Sequence, residues 1–556
     1  MAPRSPTPPG LPVEPEDLEQ PREPRPQRVA ASREGMVATA HYRATEAGVR
    51  ALEAGGNAVD SAVAAAFALG VCEPAASGLG GQTMALIYLA AEGRTVALDG
   101  SSRAPNRVIP GTLTRAEQLV GYRAATVPST PAALDYLVRR YGRLDLRTVL
   151  QPAIELAEAG YSVTKLQSAL TKRELAYLRA GTAAQFFLKG GVRAYPAGSV
   201  FRQPVLARTL RRLADAGIED FYTGRIAAAI AADMRAHGGL IHEDDLARIP
   251  WPIERESVEG PFEGRRVATF PPPGAGRTLI QMLNMLAGFT DGDLIPDSPE
   301  GALLLAATIR RAFTDREDSP VDPNFYAQMQ DECAMLSEEY GEQQARRIRR
   351  ALRRSLREAG RGETTHLSVM DAEGNAVALT QSIERVYGCF SATPELGFLY
   401  NNYMSAFEHE DISHPYYLRP NGVPWASVAP TIVFEGEEPW LVIGSPGSER
   451  ITPSIFQVLL RLEEQSPFEA VDAPRLFCST DGVVSLEAAR MRTDIPEALE
   501  RHGFTVRVRD PYSFYMGCVQ LVLREDGRLI GVADPRRDGS AAGPKAGPAG
   551  VLSEGL

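Results

Sequence analysis

The chain reads as a layered α/β protein, on three observations. Helical apolar spacing dominates the first part, the last third turns to short strands around tight turns, and no internal repeat is evident. Residues 44–69 carry helical spacing broken at Gly55-Gly56-Asn57, and Asp60 opens an Ala-rich helix suited to burial. After the cluster Gly78-Leu79-Gly80-Gly81 come two strand-like runs, 84–89 and 94–98. That is an antiparallel pairing rather than a βαβ unit, so the glycines do not read as a nucleotide loop. Residues 130–247 are mostly helical, and Pro271-Pro272-Pro273-Gly274 breaks the chain before a helix over 278–287. Residues 346–362 form a strongly basic helix running into a Gly-containing linker. Beyond it, runs at 365–370 and 376–382 flank a turn and make a hairpin signature. Further strands are expected at 397–400, 431–434, 440–443, 483–486 and 519–523, and helices at 453–464 and 496–502.

Composition narrows the function classes. The 556 residues carry a formal charge of -11, which argues against a nucleic-acid partner. No run reaches the ~20 apolar residues of a membrane span. The N-terminus has prolines and charges but no apolar core, so it does not read as a secretory signal, and a cytoplasmic enzyme is the expectation. Cys72, Cys333, Cys389, Cys478 and Cys518 are scattered without ligand spacing, which predicts free thiols and no metal or other cofactor. The Pro-rich segment 1–34 is expected to be disordered and the Gly/Ala/Pro-rich segment 539–556 flexible.

The chemistry is not announced by a familiar local motif: there is no G-x-S-x-G elbow, no HExxH and no phosphate loop. One junction stands out. Glu363-Thr364-Thr365-His366 joins the basic linker to a strand. Were the bond before Thr364 cut, that residue would carry a hydroxyl and a free α-amine, whose ordinary pKa of roughly 7.7–8.0 suits a general base near neutrality.

Collinear segments then carry a family resemblance. They are Glu53-Ala-Gly-Gly-Asn-Ala-Val-Asp60, Ser77-Gly-Leu-Gly-Gly81, Val127-Pro-Ser-Thr130, Gln151-Pro-Ala-Ile-Glu-Leu-Ala157, Asp220-Phe-Tyr-Thr-Gly224, Pro271-Pro-Pro-Gly274, Thr364-Thr-His-Leu-Ser368, Asp371-Ala-Glu-Gly-Asn-Ala-Val377, Asn401-Asn402, Ala429-Pro-Thr-Ile432, Gly444-Ser-Pro-Gly447 and Asp472-Ala-Pro-Arg475. Together they resemble the gamma-glutamyltransferase family. The resemblance implies an αββα sandwich of the N-terminal-nucleophile hydrolase type. It also implies self-cleavage at Glu363–Thr364 into a large-subunit segment, 35–363, and a small-subunit segment, 364–538, that stay associated. It makes Thr364 the nucleophile, Thr380 and Ser382 the hydroxyls that orient it and its amine, and the N–H groups of Gly447 and Ser448 the oxyanion hole. A small-molecule substrate is implied, homo-oligomers are compatible with it, and neither a membrane nor nucleic acid is expected.

The donor-binding positions depart from the family. Where it has D-[GF]-R-E-x-A-P, this chain has Asp99-Gly-Ser-Ser-Arg-Ala-Pro105. Ser101 replaces the carboxylate-binding Arg, and Arg103 lies two residues on, a displacement of ~6–7 Å on an extended chain. Where it has N-N-Q-M-D-D, this chain has Asn401-Asn402-Tyr403-Met404-Ser405-Ala406, so Tyr403 and Ala406 replace polar anchors. Ala426-Ser427 stands for a Ser-Ser pair, while Glu384 keeps an amine-contact position. Each lost charge-assisted bond is worth roughly 1.5–3 kcal/mol. The expectation is therefore the family's catalytic apparatus with a non-glutamyl substrate, an acyl side chain or an activated C–C bond, as in antibiotic-pathway members. An ordinary gamma-glutamyl transferase or glutathione hydrolase, and a non-catalytic scaffold, are the alternatives.

Overall fold

The hairpin predicted on either side of residues 371–375 is the centre of the molecule. In the computed structural model, which describes residues 26–248, 252–289, 296–321, 335–351, 363–545 and 547–548, its strands are Glu363–Asp371 and Ala376–Glu384. Asp371 explains the turn locally: its carboxylate accepts the N–H of Asn375 at 2.9 Å, the Asn375 amide at 2.8 Å, and the N–H of Ala58 at 2.9 Å.

Around this hairpin runs a seven-stranded antiparallel sheet in the order Ser540–Ala542, Gly35–Thr39, Glu363–Asp371, Ala376–Glu384, Gln82–Leu89, Arg94–Gly100 and Ile253–Arg255. A second sheet has eight strands: Gly547–Pro548, Val29–Ser32, Arg528–Ala533, Gln520–Glu525, Glu438–Gly444, Thr431–Glu435, Arg265–Thr269 and Val258–Phe262. The strand period of two separates the layers. In Gln82–Leu89, Ala85, Ile87 and Leu89 face a core shared with helices Tyr42–Glu53, Ala58–Cys72 and Leu146–Ala159. Met84, Leu86 and Tyr88 point the other way, into a core shared with the second sheet and with helices Gly276–Ala287, Pro299–Asp318 and Ile451–Arg461. Helices therefore cover the outer face of each sheet, giving the αββα sandwich. Ala58–Cys72 lies between sheet and outer helices and is buried on nearly every side, as its alanines allow.

Both chain ends differ from expectation. Val29–Ser32 lies inside the segment expected to be disordered, yet it pairs with Arg528–Ala533. Ser540–Ala542 lies inside the expected flexible tail, yet it pairs with Gly35–Thr39. Their brevity and their position inside Pro- and Gly-rich termini hid both, because such short strands gain their order from backbone pairing with a neighbour already in place. The strand expected at 397–400 reduces to isolated bridges, Ala392 with Leu399 and Gly80 with Tyr400. The linker after residue 351 lies outside the described residues. Cys72, Cys389, Cys478 and Cys518 are buried free thiols; Cys333 lies outside the described residues. Among the described residues no helix is long and apolar enough to cross a membrane.

One buried ionic cluster ties the second sheet to the C-terminal turn. Asp534 accepts Arg475 at 2.7 Å and Arg536 at 3.1 Å, and Arg536 pairs with Glu487 at 2.5 Å. Burial alone would raise the Asp534 carboxyl, but the two guanidiniums hold it below its ordinary value. Removing one member strands the others in a low-dielectric interior. Asp534→Ala is therefore expected to cost about 3–5 kcal/mol in equilibrium denaturation.

Candidate active site

Thr364 sits where the hairpin ladder is irregular. Glu363 pairs with Glu384, but Thr365 pairs with Gln381, so Ser382 and Ile383 together oppose Thr364. Its side chain faces the space between the sheets and is 4% exposed. The hydroxyl donates to Ser382 Oγ at 3.4 Å, and Ser382 Oγ accepts the N–H of Glu384 at 2.9 Å. Glu384 holds φ at +74°, a costly conformation outside glycine that turns the chain away from the strand.

A polar file continues along the same inner face. Thr380 Oγ1 lies 2.8 Å from His366 Nδ1, and His366 Nε2 lies 3.1 Å from Ser368 Oγ, which donates to the Gln520 carbonyl at 3.0 Å. Thr380 is thus one step from Thr364 along the file and is bonded to the imidazole rather than to the nucleophile candidate. Gly444 crosses directly over this ring: a Cβ there would lie 2.2 Å from His366 Cε1. Burial drives the His366 pKa down to about 3.

Two residues that the sequence reading did not select clamp the backbone. Arg537 Nη1 donates to the Thr364 carbonyl at 2.9 Å and pairs with Glu73 at 2.7 Å. The other oxygen of Glu73 accepts the Thr365 hydroxyl at 2.5 Å. Glu73 terminates the Ala58–Cys72 helix, and Arg537 follows the strand Arg528–Ala533 of the second sheet. Neither belongs to a local pattern near residue 364, so no spacing signal could have found them.

The segment 445–448 makes the tight turn entering the helix Ile451–Arg461. Gly447 has φ +122° and Ser448 φ +55°. Ser445 Oγ accepts the Cys518 N–H at 3.0 Å and fixes the turn from behind. Among the described residues no acceptor takes the N–H of Gly447 or Ser448.

Five expected contact positions fall apart from the cavity beside this turn. Ser101 donates its hydroxyl to Asp99 at 2.5 Å, and Asp99 is held by Arg255 at 2.8 Å. Arg103 is buried, its backbone bridges Val127, and burial lowers its pKa despite Asp99. Asn402 is fully buried and accepts the Arg385 N–H at 2.9 Å, bracing the turn after Glu384. Tyr403 is 2% exposed; burial pushes its phenol well above the ordinary range, and the hydroxyl bonds toward Ser382. Ala426 presents its carbonyl to Arg316 at 2.6 Å. By contrast Glu384, Ala406, Ser427 and Ser448 line one cavity of about 340 Å³. Its walls add Glu317, Glu408 and Glu449 against Arg316 and His414, so four carboxylates face two basic groups. Arg316 also covers the Trp425 ring at 4.6 Å, and burial lowers its pKa to about 10. Burial likewise raises the Glu449 carboxyl, although Arg450 and Arg316 oppose the rise. Among the described residues no group of three or more His, Cys, Asp or Glu side chains could hold a metal ion.

The two stacked antiparallel sheets between helical layers, with Thr364 second in the central strand, have the N-terminal-nucleophile hydrolase fold. The Gamma-glutamyltranspeptidase family model matches residues 44–544, and the chain belongs to that family of hydrolases and acyltransferases. The acylase ACY 1 proenzyme of Pseudomonas sp. strain V22 is 34% identical, over 92% of this chain and 94% of its own. The glutathione hydrolase proenzyme of Escherichia coli K12 is 31% identical, over 91% of each. The crystal structure of a cephalosporin acylase from Bacillus halodurans superposes with a TM-score of 0.83 at 29% identity, covering 95% of this chain and 99% of that one.

The buried imidazole gives a pH signature. The unfolded chain takes up a proton on His366 below about pH 6.5, whereas the native chain does so only near pH 3. Native stability is therefore expected to fall as pH drops through that window, by about 1.4 kcal/mol per pH unit for this residue. His41, also lowered to about 3, adds a second such contribution. Urea unfolding at pH 7 and pH 5 checks it: the His366→Gln variant should show a shallower loss than the wild type, and equal slopes would refute the assignment.

Proposed function

We propose that the chain is a self-processing threonine hydrolase or acyltransferase whose acyl donor lacks the γ-glutamyl α-carboxylate. The observation that carries the reading is the charge of the cavity beside the Gly447–Ser448 turn. Four carboxylates line it, and Arg316, one of its two basic groups, already donates to the Ala426 carbonyl. The position of the family's carboxylate-binding arginine is occupied by Ser101, bonded to Asp99, and Arg103 is outside the cavity wall. A donor carboxylate there would meet like charge in a partly desolvated space, whereas a neutral or amine-bearing acyl group would not. The relatives named as acylases support the same direction.

Maturation proceeds at the Glu363–Thr364 bond, as the proenzyme names of the relatives support. Thr364 Oγ attacks the Glu363 carbonyl, the acyl group passes from nitrogen to oxygen, and water hydrolyses the ester. This leaves fragments of 363 and the remaining 193 of the 556 residues. In turnover the new α-amine takes the Oγ proton as Oγ adds to the donor carbonyl. The N–H groups of Gly447 and Ser448 take the oxyanion, and the departing amine receives the proton. Water, deprotonated by the same amine, then releases the acid; an acceptor amine in its place gives transfer. Ser382 and the Arg537–Glu73 pair hold Thr364 for both reactions, and Tyr403 positions Ser382.

Two measurements test this. Denaturing electrophoresis is expected to give two bands for the wild type and one for Thr364→Ala; a single band from both would instead support the scaffold alternative. In a donor panel, γ-glutamyl-p-nitroanilide should have a kcat/KM at least about 100-fold below that of the best neutral or aminoacyl p-nitroanilide, the size expected from two lost charge-assisted bonds. Fast γ-glutamyl turnover would restore the ordinary family activity.

A further inference from the structure

The turn that offers the Gly447 and Ser448 N–H groups has a second segment, 513–518, along its back. The ladder between Glu438–Gly444 and Gln520–Glu525 ends at the pair Gly444 and Gln520, and the residues past that pair run on side by side. Three hydrogen bonds join them. The Cys518 N–H donates to Ser445 Oγ at 3.0 Å, Ser454 Oγ donates to the Met516 carbonyl at 2.8 Å, and Arg450 Nε donates to the Tyr515 carbonyl at 3.2 Å. The Arg450 guanidinium also covers the Tyr515 ring at 4.3 Å.

Gly517 is where the two segments approach most closely. Its backbone has φ +77° and ψ -171°, a region essentially closed to residues with a Cβ. A Cβ there would also lie 2.6 Å from Ser454 Oγ, 2.7 Å from Ser445 Oγ and 3.0 Å from the Pro446 carbonyl oxygen. Gly447 stands back to back with it, since a Cβ on Gly447 would lie 3.0 Å from Gly517 Cα. Bulk at 517 therefore pushes on the peptide units that aim the two N–H groups. The ends of the segment are anchored as well. The Ser513 N–H donates to Glu487 at 2.8 Å, and the Val519 N–H donates to Asp534 at 2.8 Å. Both carboxylates hold Arg536, the neighbour of the Arg537 that clamps the Thr364 carbonyl.

We infer that segment 513–518 is the positioning element of the oxyanion turn, with Gly517 as its decisive residue, and that the Glu487–Arg536–Asp534 cluster registers this turn against Thr364. The nucleophile candidate and the N–H donors come from different sheets, Thr364 from the seven-stranded one and Gly447 from the end of a strand of the eight-stranded one. Oxyanion donors must lie within about 3 Å of the oxygen they stabilise, so a small slip between the sheets is costly. A cluster that grips the backs of both parts fixes their separation without touching the substrate. Gly517 is thus a positioning residue that acts through the turn. The catalytic consequence rests on the reading of the 447–448 N–H groups proposed above; the bracing of the turn does not.

The test compares Gly517→Ala with Gly527→Ala in the full-length protein. Gly527 also has a positive φ, +68°, but a Cβ there meets nothing within 4 Å, so its variant carries backbone strain alone. Hydrogen exchange read by mass spectrometry follows the Arg450 and Cys518 amides, which donate to the Gly447 carbonyl and to Ser445 Oγ. Gly517→Ala should speed exchange there at least about tenfold, and Gly527→Ala should leave it at the wild-type rate. With the best p-nitroanilide of the donor panel, Gly517→Ala should lower kcat about 100-fold, the size of one lost oxyanion donor, with KM within about threefold of wild type. Gly527→Ala should keep both constants. Where Gly517→Ala does not fold, Ser454→Ala should give the same pattern at smaller size, a kcat loss of about three- to tenfold. Unchanged exchange in Gly517→Ala, or in Ser454→Ala where the first does not fold, overturns the inference, as do equal effects of the two glycine variants. Faster exchange with full kcat keeps the brace and sinks the oxyanion role of the turn. A wild type that turns over no donor sinks the catalytic reading, and exchange alone then decides the brace.

Discussion

The buried pair between Glu73 and Arg537 is the contact on which the site's geometry rests. It joins the end of an inner helix to the turn after the strand Arg528–Ala533, and both partners reach the residues that open the central strand. A buried ion pair is a weak source of net stability, because desolvation offsets most of the attraction. Its value here is positional. Arg537 fixes the Thr364 carbonyl and Glu73 fixes the Thr365 hydroxyl, so the backbone at the nucleophile candidate is held from both sides while its own hydroxyl stays directed at Ser382. Arg537 is in turn set by the Asp534–Arg475–Arg536–Glu487 cluster, which immobilises the turn from which it projects.

From that fixed point the two sheets make a polar seam within an apolar sandwich. Thr364 bonds Ser382, and on the same face Thr380, His366 and Ser368 form a second chain that ends on the Gln520 carbonyl of the opposite sheet. A neutral imidazole can do this because it offers one donor and one acceptor. A charged one would be unsupported at that depth. Gly444 leaves the room the ring needs, and three residues later the same chain turns at Gly447. Strand packing and oxyanion-type N–H groups are thereby parts of one segment.

Much of this was legible in the sequence, for identifiable reasons. The hairpin at 371–375 was readable because Asp371, Gly374 and Asn375 carry local turn chemistry, and the buried helix 58–72 because its alanines and its Asn57–Asp60 cap are local too. The layered arrangement and the nucleophile candidate came from collinear motifs resembling a family. What escaped was non-local. Glu73 and Arg537 are 464 residues apart. The terminal strands Val29–Ser32 and Ser540–Ala542 are only four and three residues long and order against existing strands. Substitution patterns alone also placed Ser101, Arg103, Asn402, Tyr403 and Ala426 on substrate. They do not line the cavity that Glu384, Ala406, Ser427 and Ser448 line.

That separation has a physical logic. The groups around Thr364 come from strands and buried ion pairs and are locked by packing on both sides, whereas the acidic cavity takes Ala406, Glu408, Ser427, Ser448 and Glu449 from turns and loops, with Arg316 and Glu317 from the helix Pro299–Asp318. Loops accept substitution without disturbing the sheets. Ser101 satisfies its hydroxyl on Asp99 and Tyr403 is buried, so neither position puts an orphaned charge in the core. The same tolerance lets the cavity lining vary without touching the supports of Thr364. A fold shared with glutathione hydrolases can hold its threonine in place while the field around the reacting carbonyl is rewritten.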